Sequence, residues 1–109
     1  MRIISQNGTI DVPYEMSAIR NEDNAIILNM VGETGKGSVI ARYSTFEKAQ
    51  KAMEMLREQY SRLQVVKILA SGTCEHMEKS LSKDEFLECN LKYREMNIFQ
   101  FPQDEDVEV

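Results

Sequence analysis

The chain has 109 residues, 42% of them hydrophobic and 28% charged, and a formal net charge of -5. Those values describe a single globular domain and exclude wholesale disorder, while the acidic balance, with Lys and Arg scattered from Arg2 to Arg94, speaks against tracking nucleic-acid phosphates. Two cysteines are too few for a disulfide scaffold, and the longest aliphatic run, Ala25-Ile26-Ile27-Leu28, is far short of the ~20 residues of a membrane span, so the expectation is a cytoplasmic protein with free thiols and no membrane contact.

Ile3 to Val12 reads as a hairpin about Asn7-Gly8, the favoured pair for a two-residue type I′ turn because both central positions need positive φ. Counting outward pairs Ser5 with Ile10 and Ile3 with Val12 on one face, and leaves Ile4, Gln6, Thr9 and Asp11 on the other. Pro13 has no N–H for a ladder, so its strand should stop there or lie at a sheet edge. A third strand is expected between Tyr14 and Arg20, then a turn at Asn21-Glu22-Asp23-Asn24. An apolar strand follows over Ala25 to Val31, and a glycine-rich connection, Gly32 to Gly37, leads into a strand from Ser38 to Tyr43.

Ser44, three residues before Glu47, has the spacing of a capping box. The helix it opens should run from Thr45 to about Tyr60 or Leu63, with Phe46, Ala49, Met53, Leu56, Tyr60 and Leu63 on one stripe. Met55 falls on the far side of that stripe, without an intramolecular use, and is singled out as a possible interaction surface. Gln64 to Ala70 reads as another strand, broken by Ser71-Gly72-Thr73. Cys74 to Leu81 is either a loop or a helical turn. A shorter helix should open at Ser82, with Glu85 at capping-box spacing, and end near Tyr93. Asn97 to Phe101 is a strand ended by Pro102, and the acidic residues 103–109 are expected to fray. The predicted fold is α+β: a mostly antiparallel sheet of four to six strands, with one long amphipathic helix and a second shorter helix packed on one face, all within one domain over residues 1–102.

Motifs that would carry chemistry fail on spacing. Gly35-Lys36 would need a glycine five positions earlier and Ser or Thr directly after the lysine to make a phosphate loop; Met30 and Gly37 stand there instead, before a strand rather than a helix. Cys74, His76 and Cys89 are the only soft ligands, and their separations match no zinc pattern and identify no oriented nucleophile pair. No catalytic, cofactor-binding or metal-binding residue is assigned, and no cofactor is expected. Asp104, Glu105, Asp106 and Glu108 could meet a basic partner, but a solvated tail explains them as well.

The blocks Ile3 to Glu15, Tyr43 to Arg57, and Phe99-Gln100-Phe101-Pro102 onward resemble a group of small uncharacterised proteins of Firmicutes and of their phages and mobile elements. The group brings no activity or site residue to carry over. What the resemblance implies is genomic company in which small proteins often act by binding another protein. The expectation is a non-enzymatic interaction or regulatory protein, working through a sheet edge or helix face toward a protein partner or a second copy. A small-molecule or nucleotide-binding module with scattered site residues is the alternative.

Overall fold

In the computed structural model, residues 1–80 and 83–109 are described, and of residues 69–80, 83, 85, 86, 89 and 90 the backbone alone. The chain runs through β1 (Arg2–Ile4), β2 (Asp11–Pro13), a 3₁₀ turn at Tyr14–Met16, β3 (Ser17–Glu22), β4 (Ala25–Met30) and β5 (Ser38–Arg42). It continues through α1 (Phe46–Ser80), α2 (Lys83–Met96), β6 (Ile98–Gln100) and a second 3₁₀ turn at Asp104–Asp106. The class is α+β, but the strands divide into two three-stranded sheets, ordered β2-β1-β6 and β3-β4-β5, in place of one larger sheet. Pro13 supplies the physical reason. Without an N–H it suits the outward-facing side of an edge strand, pairing with β1 runs one residue past it to the Tyr14 N–H, which donates to the Met1 carbonyl at 2.8 Å, and the 3₁₀ turn there sends the chain away to start β3 elsewhere.

The first hairpin has the predicted register, with Ile3 opposite Val12 and the Ser5 N–H donating to the Ile10 carbonyl at 2.9 Å. Its turn is different. Gly8 takes positive φ (77°) and Asn7 does not, so the type I′ turn is not made. The Asn7 side chain works instead as an acceptor: Oδ1 takes the Ser5 hydroxyl at 2.8 Å, the Thr9 N–H at 3.1 Å and the Thr9 hydroxyl at 2.7 Å. Such local bonding is what makes Asn favourable in turns beyond its tolerance of left-handed backbone. On its other edge β1 pairs in parallel with β6, Ile3 opposite Phe99.

In the second sheet β3 and β4 join through Asp23-Asn24, with Glu22 opposite Ala25. The predicted four-residue turn is therefore shorter, and Asn21 and Glu22 belong to the strand. Both sheets share one core, in which Ile3, Ile26, Leu28, Ile40, Phe99 and Phe101 meet Ala49, Ala52, Leu56 and Leu63 of α1.

The helix starts where predicted but with another cap. Thr45 Oγ1 accepts the Lys48 N–H at 3.2 Å, so Thr45 is the N-cap and the Ser44–Glu47 box is not formed. Phe46, expected on the buried stripe, is 45% exposed. The predicted strand Gln64 to Ala70 is absent, because α1 continues unbroken to Ser80. From Phe46 to Ser71 there is no Gly or Pro; once nucleated, a helix adds one bond per residue, and Val65, Val66 and Ile68 cost only tenths of a kcal/mol each. Gly72 is carried inside the helix. The predicted cap at Ser82 lies outside the described residues. Within the C-terminal segment Val107 is 3% exposed and belongs to the core, while Val109 is exposed. Among the described residues no helix is long and apolar enough to cross a membrane.

Candidate docking groove

Four strands lie at sheet edges, and three of them are partly covered by contacts within the protein. Asp11 and Pro13 turn their carbonyls outward from β2; the first accepts from Arg2 Nη2 at 3.2 Å and the second from the Ser17 hydroxyl at 2.7 Å. On β6 the Ile98 carbonyl accepts from Gln59 Nε2 of α1 at 2.7 Å. On β5 the Ile40 carbonyl accepts from the Gln6 N–H at 2.8 Å, and the Arg42 N–H donates to Gln6 Oε1 at 3.0 Å. Gln6, at the tip of the first hairpin, thus acts as a one-residue strand that ties the two sheets together.

The fourth edge, β3, is free. The Val31 N–H donates to the Met16 carbonyl, and register fixes Ala18, Arg20 and Glu22 as the other residues bonded to β4. In an antiparallel ladder the alternate residues turn their backbone groups away. Ile19 and Asn21 therefore present N–H and C=O outward, and no described residue pairs with them.

Beside this edge runs a groove whose other wall is the first three turns of α1. It consists of two recesses, one of about 350 Å³ between Tyr14, Ser17 and Ile19 and the helix, the other of about 290 Å³ between Asn21, Phe46 and Gln50. Met53 and Arg57 line both. Tyr14 and Tyr60, with ring centroids 4.4 Å apart, stand near one end.

The polar groups in the groove are unevenly satisfied. Glu15 accepts from the Met1 amino group at 3.0 Å, which holds its carboxyl below the usual carboxylate range. Glu54 is 3.7 Å from Lys51. Arg57, by contrast, forms no ion pair among the described residues. Among the described residues Asn21 Oδ1 is buried without a hydrogen-bond partner, a state that is uncommon and costs about 1–3 kcal/mol for such a group.

Met55, the surface residue singled out from the sequence, is half-buried and packs against the protein's own core cluster. Met55 therefore does have an intramolecular use, which the single stripe drawn from periodicity did not include. The side chains of Cys74, His76 and Cys89 lie outside the described set. Among the described residues no three His, Cys, Asp or Glu side chains gather as metal ligands. The Gly32–Gly37 connection joins two strands and opens no helix. Periodicity along β3 already places Ser17, Ile19 and Asn21 on one face. That this strand is an edge, and that Arg57 stands opposite it, has no local signal.

No protein-family model, curated protein or solved structure matches the chain.

Proposed function

We propose that this chain is a small non-enzymatic interaction protein that takes up an extended peptide segment of a partner as an added strand on β3. The observation behind it is that, among the described residues, the β3 edge leaves Ile19 and Asn21, two successive outward-facing residues, without a partner, and that it alone among the edges borders a groove against α1. Open edges are ordinarily blunted because they recruit other chains. Main-chain pairing supplies affinity in such binding, and a neighbouring groove reads alternate side chains.

An apolar wall of Ile19, Met53, Leu56 and Phe46 suits side chains from such a strand. The Ser17 hydroxyl, which lines the groove, donates to the Pro13 carbonyl at 2.7 Å.

A test is amide exchange by NMR, with a peptide selected from a random displayed library as probe. Binding should slow exchange at Ile19 and Asn21 and perturb Met53. Asn21→Pro removes one outward N–H at a position where an edge tolerates proline, and it should abolish binding while the fold remains. Selected peptides that protect other amides, or that bind Asn21→Pro unchanged, would remove β3 as the docking edge.

A further inference from the structure

Resting on that docking edge, we infer that the incoming strand carries an Asp or Glu side chain that pairs with Arg57. Arg57 is the one groove side chain whose charge goes uncompensated among the described residues, since Glu15 and Glu54 are held by the Met1 amino group and Lys51. A guanidinium in a partly enclosed groove is matched by a carboxylate, which can accept two parallel N–H bonds from it.

The recesses lie on both sides of Arg57, one toward Ser17 and one toward Phe46. A strand therefore passes Arg57 and continues, which assigns the carboxylate to a side chain within the segment and not to a chain end. Toward Asn21, the recess at Phe46 and Met53 takes an apolar side chain. The partner is thus an extended segment in which an acidic residue is followed or preceded by an apolar residue.

The experiment is selection of a random dodecapeptide library, displayed with its C-termini fused, on the full chain and separately on Arg57→Glu. Arg57 is exposed, so the variant should keep its fold, checked by circular dichroism and thermal midpoint. The expected result is enrichment of Asp or Glu at one position on the wild type and of Lys or Arg at that position on the variant. A synthetic peptide of the enriched sequence should bind Arg57→Glu about tenfold or more weakly, the loss of one charge-assisted pair, and an Asp-to-Lys change in the peptide should restore binding. Peptides that require an intact β3 edge, judged on Asn21→Pro, but show no acidic enrichment would overturn the Arg57 assignment and leave strand addition standing. Binding that ignores Asn21→Pro would overturn both. Light scattering that gave twice the 12.6 kDa mass for the wild type, and a monomer for Asn21→Pro, would make the occupant a second copy and overturn the acidic-segment assignment.

Discussion

The backbone N–H of Ser44 donates to Oδ1 of Asp104 at 2.7 Å, across 60 residues of sequence. The residue that sequence spacing marks as a helix cap is therefore itself held by a carboxylate from the C-terminal segment, and capping passes to Thr45. Lys48, one turn into α1, reinforces the junction: its Nζ donates to the Asp104 carbonyl at 2.9 Å and stands 3.5 Å from Oδ2. Nearby, the buried Tyr43 hydroxyl donates to the Pro102 carbonyl at 2.9 Å. The start of the long helix and the end of the chain are one structural unit.

Thr45→Ala should therefore lose about 1 kcal/mol of stability, the usual worth of a side-chain N-cap. Ser44→Ala should stay within about 0.5 kcal/mol, since the main Ser44 contact, its backbone N–H to Asp104, survives the substitution. Urea midpoints at neutral pH compare the two directly. A larger loss for Ser44→Ala would return the cap to the Ser44–Glu47 box.

The Asp104 junction also predicts a pH dependence. The Ser44 N–H, assisted by the Ser44 hydroxyl and by Lys48, holds the Asp104 carboxyl below its ordinary value. A carboxyl that titrates lower in the folded than in the unfolded chain stabilises fully above the unfolded value of about 3.9, and that stability disappears as the pH falls through the folded value. Urea midpoints should fall between neutral pH and the acid range, and Asp104→Asn should show a shallower fall. Identical pH profiles for the two proteins would show that this carboxylate contributes nothing to the dependence.

Gly37 is a position where a side chain has no room. It sits at φ 79°, and a Cβ there would lie 2.5 Å from Asn29 Oδ1, 2.7 Å from the Leu28 carbonyl and 2.9 Å from Ile27 Cγ2. Gly37→Ala should cost about 2 kcal/mol, combining left-handed strain with the clash. Gly32→Ala shares the positive φ, 89°, but meets nothing within 4 Å, and should cost about 1 kcal/mol. Thermal unfolding of the pair gives the comparison, and equal midpoints would show that the β4–β5 connection yields to relieve the contact.

Much of the local structure is legible in the residues. The parity of a hairpin follows from the position of its turn, so Ile3 opposite Val12 can be counted from Asn7-Gly8 even though the turn type differs. The α1 stripe through Ala49, Met53, Leu56 and Leu63 is a property of helical spacing and is buried as expected. Pro13 marks an edge because a missing donor is covalent chemistry.

Other features depend on partners distant in sequence, for which no local rule exists. Val65, Val66 and Ile68 favour a strand by type, yet they extend a helix already begun, because adding a turn costs less than starting a new element. The division into two sheets, the parallel pairing of β1 with β6, and Gln6 lying along β5 all arise when elements far apart in the chain meet. The candidate groove is of this second kind. Its residues stand at ordinary strand and helix positions, and only their tertiary placement leaves Ile19 and Asn21 unpaired across from Arg57. Hydrogen-bond satisfaction and charge compensation depend on three-dimensional distance, which local residue order does not specify.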